Sequence, residues 1–479
     1  MTIKSSKRQE LDLDRVVMEL TGSKHPDESI LVKDLLEHHL VVATTGVGKS
    51  SVLGYYLAKA IMNAKGLAPE EKIGMIIFQY KDDTRQWLDW AEEFGRAEDV
   101  IRIGPQDRDV FNVLEAYRHK ETSSAVDLLT TLSGLSLTGA NQNKGEAYWR
   151  EMNRQRLHRL ITLAKLSGES LSIAKLYHLH STAPQLPEQL EDEEFKANSY
   201  CWQMLQKAFH HVGSDHPEFQ LVEQYFIREM PYMNDRTQSS ILSMTSGTLE
   251  PYVSSPLLNR LFCGGTTISL DQLLGGKIVI LDLAIKTHEY AGKLSQLMFK
   301  HVLQKRIEDR DLTQLPCPVI FHLDEYAQFI SPYDALFLST ARSSRAGFLA
   351  MIQNISGLFA QVGGDGFIAQ ENVNSLLALF NHKFFMAQNN HVTNEFAAKT
   401  IGMGLRSLNN TSMQLEEFQG NSGYSESYHY QVMPVEFTTL RRGGKAHQGI
   451  VDVILMATGK LFSNGKNHLR LRFKQPWMR

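Results

Sequence analysis

The run Ala43-Thr44-Thr45-Gly46-Val47-Gly48-Lys49-Ser50 has the residue types a phosphate needs. Gly46 and Gly48 allow the backbone to turn its N–H groups inward around a β-phosphate. Lys49 is placed to bridge β- and γ-phosphates, and the Ser50 hydroxyl to ligate Mg²⁺. The run is a P-loop except at Ala43, where a glycine is usual. Thr45, Gly46, Val47, Gly48, Lys49, Ser50 and Ser51 are therefore expected to hold ATP. A second run, Val319-Ile320-Phe321-His322-Leu323, ends on Asp324-Glu325. Asp324 would hold Mg²⁺ through water and Glu325 would polarise the attacking water, so the pair favours hydrolysis over binding alone. The rival, Ile278 to Asp282, lacks a second carboxylate and reads as a structural strand end. Gln353 closes a further apolar run, where it could sense the γ-phosphate or simply be a polar strand terminus. Arg342 and Arg345 precede that run. They are either solvated or able to reach a neighbouring subunit's nucleotide.

These groups need a sheet to carry them. His39-Leu40-Val41-Val42-Ala43 reads as a buried strand, Ser50 to Ala64 has helical spacing, and Ile73 to Phe78 is a second buried strand. Strand, helix, strand predicts a parallel α/β sheet. Strand patterns return at 278–281, 319–323, 348–352 and 383–386, with a helix over 291–306 and a final strand over 450–455. Between residues 116 and 240 long amphipathic patterns replace them. About 275 residues separate Lys49 from Asp324, more than a simple P-loop domain needs, so an all-helical insertion is expected. The expected division is an arm over 1–30, the motor's first part over 31–115, the helical domain over 116–240, and the second part with its tail over 241–479. The Asn/Ser/Gly-rich stretch Gly420–Ser427 reads as a polar loop.

Composition excludes several classes. The 479 residues are 42% hydrophobic and 22% charged, which fits a globular chain of two or three domains. A formal charge of −3 excludes a strongly basic nucleic-acid binder but not a local basic surface. Cys201, Cys263 and Cys317 are too far apart to suggest a disulfide framework or zinc site, which fits a cytoplasmic setting. No stretch reads as a bilayer span.

Taken in order, the motifs resemble the coupling ATPases of conjugation and type IV secretion, the TraG/TraD group of the HerA–FtsK superfamily. The P-loop Ala43–Ser50 resembles theirs. Phe78-Gln79-Tyr80-Lys81-Asp82-Asp83 lies where they carry a strand and an Asp-Pro-Lys-Gly segment. Phe111-Asn112-Val113-Leu114 is similar to their aromatic-Asn-Pro-Leu signature. Tyr148-Trp149 and Ser170-Leu171-Ser172 resemble the start of their all-alpha domain. His322-Leu323-Asp324-Glu325-Tyr326-Ala327 resembles their Walker B, and Ala346 through Gln353 their glutamine-bearing strand. The resemblance spans roughly residues 31–400. It implies a RecA-like P-loop domain with an inserted all-alpha domain, in a ring hexamer that hydrolyses ATP between subunits and moves DNA. It also implies relaxosome or secretion-channel partners at the inner membrane. Members usually carry N-terminal transmembrane helices, so this chain reads as a soluble relative or one without its anchor. The family's trans-acting arginine aligns with Ser344; of its neighbours, Arg345 is preferred.

DNA contact would have to be local. Arg150, Arg154, Arg156, Arg159 and Lys165 fall on one predicted helix, and Arg441, Arg442 and Lys445 in a late loop. Both sets could equally be solvated faces. Three other readings stay open: a soluble motor of the same superfamily in a mobile-element or defence system, an ATP-switched receptor recruiting protein substrates, and a metabolic P-loop kinase.

Overall fold

The computed structural model describes residues 11–22, 26–136, 144–362, 366–414 and 419–478. The first ten residues of the expected arm lie outside these. The rest of the arm includes β1 (Val16–Glu19), which pairs antiparallel with β2 (Ser29–Leu31).

The chain forms two compact units. One comprises the residues up to Ile101, Leu274–Ile280 and those from Ile307 onward; the other comprises Arg102–Leu273 and Leu281–Arg306. The second unit is built mainly of helices, among them Thr122–Ser136, Lys144–Leu166, Ile173–Ser181, Tyr200–Val212 and Asp235–Ser254. The expected helical boundary at 240 falls inside the last of these. Asn234 caps that helix through Thr237 N at 2.9 Å. Its Ser/Thr-rich face carries too few apolar residues for the period to show in the sequence. Arg156, one of the candidate DNA contacts, is only 1% exposed. Its Nε donates to His180 Nδ1 at 3.0 Å and its guanidinium lies over the Phe226 ring, so it belongs to this unit's core. Arg154 pairs with Asp127 at 2.7 Å.

A nine-stranded sheet carries the motifs. Its strands are β3 (His39–Val42), β4 (Gly74–Phe78), β5 (Val100–Ile103), β6 (Ile278–Leu281), β7 (Val319–Leu323), β8 (Ala346–Ile352), β9 (His382–Phe385), β12 (Ile450–Ala457) and β13 (His468–Lys474). The spatial order is β13-β12-β9-β3-β8-β7-β4-β6-β5. Strands β9, β3, β8, β7, β4 and β6 are parallel, whereas β12 is antiparallel to both β9 and β13. Every residue of those six parallel strands is buried, as expected where both faces of a parallel sheet are covered. That is why most of them read as apolar runs, broken only by buried polar residues such as His322 in β7 and His382 and Lys383 in β9. The chain leaves β3 for β4 on one side and later returns to β9 on the other. The P-loop follows β3 at this switch point, where open α/β sheets bind ligands.

One expectation is corrected. Gly420–Ser427 is not a loop but part of β11 (Gln419–Tyr430), which pairs with β10 (Met403–Gln414) in unbroken antiparallel register from Met403↔Tyr430 to Gln414↔Gln419. Backbone pairing satisfies N–H and C=O groups whatever the side chains, so polar composition does not exclude a ribbon. Strands β5 and β13 were not expected from the sequence.

Gly347 on β8 is a packing requirement. A Cβ there would sit 2.2 Å from the Leu35 carbonyl oxygen, and backbone cannot yield as a flexible side chain would. Gly347→Ala is expected to lower unfolding stability by at least about 2 kcal/mol, read as a shift of the urea midpoint at unchanged slope.

The same unit buries several histidines. His38 Nε2 donates to Leu338 O at 2.9 Å and Nδ1 accepts from Phe348 N at 3.3 Å, so the neutral ring is fully bonded. Burial pushes its pKa down to about 4, and that of His322 also to about 4. Because these values lie below the unfolded value near 6.5, the associated stability is complete above that pH and is lost as pH falls toward 4. Each such group costs about 3 kcal/mol across that window. Denaturant unfolding at pH 7, 5.5 and 4.5 should show a steep loss that His38→Gln makes shallower.

Candidate functional site

The site is assembled at the carboxyl ends of three neighbouring strands, β3, β8 and β7. Between β3 and the following helix, Gly46 and Gly48 take left-handed φ values of +79° and +89°. At Gly48 a Cβ would also meet Val52 Cγ2 at 2.7 Å. The helix opens with a wide π-turn, Lys49–Gly54, before becoming α-helical over Tyr55–Met62. Val47 is buried beneath the loop, whereas Thr45 and Gly46 are exposed above it and Ser51 is half-buried.

Lys49 is 9% exposed, and its ammonium lies 2.9 Å from Glu325 Oε1 and 3.1 Å from Asp324 Oδ1. The Ser50 hydroxyl donates to Asp324 Oδ2 at 2.9 Å. Burial alone would raise the pKa of Asp324, but Lys49, His322 and the Ser50 bond together hold it below the usual carboxylate range. Asp324 is therefore ionised at neutral pH. Glu325 sits just past β7 in the left-handed region, φ 61° and ψ 52°, a strained backbone for a residue with a side chain. Gln353, just past β8, donates from Nε2 to Glu325 Oε1 at 3.1 Å, and its Oε1 accepts from Thr45 Oγ1 at 3.3 Å. Lys49, Ser50, Asp324, Glu325 and Gln353 thus form one hydrogen-bonded group, although the sequence scatters them over some 300 residues.

Within the chain, Arg345 is not part of that group. It precedes β8, whose opposite end leads to Gln353, and a seven-residue strand spans roughly 20 Å. Its Nη1 donates to Pro316 O at 3.0 Å. Arg342 is exposed and pairs with Glu37 at 2.8 Å. A further residue bonded to this group was not expected from the sequence. Gln388, buried just beyond β9, donates to the Gln353 carbonyl at 2.6 Å, and its own Oε1 accepts from Asn389 N and Asn390 N. Its only sequence signal is a glutamine directly after the apolar run Phe384-Phe385-Met386-Ala387.

The hydroxyl of Ser50 and the carboxylate of Asp324 are hard oxygen donors, the set that suits Mg²⁺. The sequence matches the family described as Type IV secretory system Conjugative DNA transfer over residues 12–458. This chain belongs to that family. Solved structures of coupling proteins share its fold. A bacterial conjugative coupling protein, TrwBdeltaN70 in an unbound form, superimposes with a TM-score of 0.60 at 15% identity, covering 97% of this chain and 88% of that one. TrwB with the non-hydrolysable ATP analogue ADPNP gives 0.60 at 15% identity, covering 98% and 91%. TrwB with ADP and Mg²⁺ gives 0.58 at 15% identity, again covering 98% and 91%. At that identity the likeness establishes the architecture, a RecA-like domain with an all-alpha domain. No curated protein matches the chain by sequence. Among the described residues, no helix of this family member is long and apolar enough to cross a membrane.

Proposed function

We propose that the chain is an ATP-driven, DNA-translocating motor of the type IV coupling-protein kind, acting as a ring hexamer in conjugative transfer. The observation that carries this is the convergence of Lys49, Ser50, Asp324, Glu325 and Gln353 at the ends of β3, β7 and β8.

The roles follow from the geometry. The turn from Thr45 to Ser51 offers its backbone N–H groups to the phosphates. Lys49 exchanges its carboxylate partners for phosphate oxygens, which frees Glu325 Oε1 to accept a proton from water. Gln353 lies within reach of that same oxygen and orients the water. Ser50 and Asp324 would hold Mg²⁺, which when bound neutralises charge on the β- and γ-phosphates. Arg345 is assigned to the neighbouring subunit's site, a role that requires its guanidinium to leave the Pro316 carbonyl. DNA is the substrate moved, gripped by phosphate contacts that ignore sequence and weaken with salt. The setting is cytoplasmic, with attachment to the inner membrane through relaxosome or secretion-channel partners.

Sedimentation of Glu325→Gln with Mg·ATP and DNA tests the ring. A particle of six 54.3 kDa chains is expected; a monomer across all protein concentrations would contradict it.

A further inference from the structure

Asp83 lies five residues past the end of β4, and β4 runs beside β7 with Phe78 opposite Leu323. The two strands therefore deliver Asp83 and Asp324 to the same end of the sheet. Asp83 immediately precedes the helix Thr84–Glu93. An aspartate at that position normally turns its carboxylate onto the first free N–H groups of the helix. Here the side chain makes no such bond. Neighbours do the local work instead: Asp82 Oδ1 accepts from Thr84 N at 3.4 Å, and Gln79 Oε1 accepts from Asp83 N at 3.2 Å. Among the described residues the Asp83 carboxylate takes no hydrogen bond.

It is half-buried and lines a narrow cleft with Ser50, Asp324, His322 and Trp87. The cleft holds about 10 Å³, room for about one water. Trp87 packs edge-on against the His322 ring at 4.7 Å and fixes it in the wall. His322 is 2% exposed and its Nδ1 has no partner. A carboxylate without a hydrogen-bond partner, the ring of His322, whose Nδ1 also lacks one, and the Ser50–Asp324 pair thus line one water-sized space. Two carboxylates facing such a space are stabilised by a divalent ion or by water bound to one.

We propose that Asp83 is a positioning carboxylate for the nucleotide's divalent ion, accepting a hydrogen bond from a water on that ion in the cleft beside His322. The assignment rests on the reading of Ser50 and Asp324 as the residues that hold the ion. Asp83 acts through the water and does not touch the nucleotide, so its loss should weaken the ion and spare the nucleotide.

The test is Mn²⁺ binding to the full chain saturated with ADP, followed by electron paramagnetic resonance, together with ADP affinity measured in chelator. Asp83→Asn should weaken Mn²⁺ about ten- to hundredfold, the usual cost of losing an outer-shell partner. ADP affinity without metal should stay unchanged. Asp83→Glu should recover much of the loss, and Asp82→Asn, on the exposed neighbour, should behave as the parent. Mn²⁺ affinity within twofold of the parent in Asp83→Asn would overturn the proposal. So would an equal loss in Asp82→Asn, or a parallel fall in metal-free ADP affinity. A parent protein with no ADP-dependent Mn²⁺ site would instead refute the reading of Ser50 and Asp324, and this assignment with it.

Discussion

Glu325→Gln should bind ATP as the parent does and turn it over at least about 100-fold more slowly, the usual size of a lost general base. The substitution keeps the shape of the side chain and removes only its charge and basicity. Lys49 and Gln353 both reach Oε1, at 2.9 and 3.1 Å, and an amide oxygen can still accept from each. Folding should therefore be little changed. The left-handed backbone at Glu325 supports the assignment: a strained conformation that aims one carboxylate at the Lys49–Gln353 junction is the kind retained where chemistry needs it. Rapid-quench measurement of the first turnover separates the chemical step from product release. Parental single-turnover rates in Glu325→Gln would refute its role.

Lys49→Ala has the second large expected effect, and on a different quantity. The ammonium holds Asp324 and Glu325 together, at 3.1 and 2.9 Å. Its loss removes a charge-assisted contact to phosphate worth about 1.5–3 kcal/mol, so ATP affinity should fall about 10- to 100-fold. The carboxylates then face one another without their cation, and Asp324 loses the charge that offsets its burial. Its pKa rises, so Mg²⁺ binding by this variant should weaken further below neutral pH. Calorimetric titration with a non-hydrolysable ATP analogue at two pH values measures both effects. Unchanged affinity would mean that Lys49 does not meet phosphate.

Much of the site was legible because buried parallel strands leave a plain trace. The runs before Ala43 and Asp324 are buried on both faces and mostly apolar, so the polar residues that end them mark the sheet's carboxyl edge. The order of motifs gave the fold, since only a helical insertion explains the distance from Lys49 to Asp324. What stayed hidden has physical causes. Gln388 acts through its bond to a carbonyl, and no residue pattern announces such a contact. Asp83 stood out in the sequence only as part of the segment after β4, and the structure shows that its side chain does not cap the helix it precedes. Arg156 looked like part of a basic helix face, because its partners His180 and Phe226 lie far away in sequence. The β10–β11 ribbon is polar in composition and held by backbone pairing, so periodicity did not mark it.

ATP hydrolysis in this motor should be completed between subunits and coupled to DNA. This coupling is tested most directly by the steady-state ATPase rate of the purified chain, with and without single- and double-stranded DNA, over a range of protein concentrations. Strong stimulation by DNA and a rate per chain that rises cooperatively with protein concentration are expected. A rate per chain indifferent to both would contradict the coupling, and would favour a nucleotide-switched receptor for protein substrates.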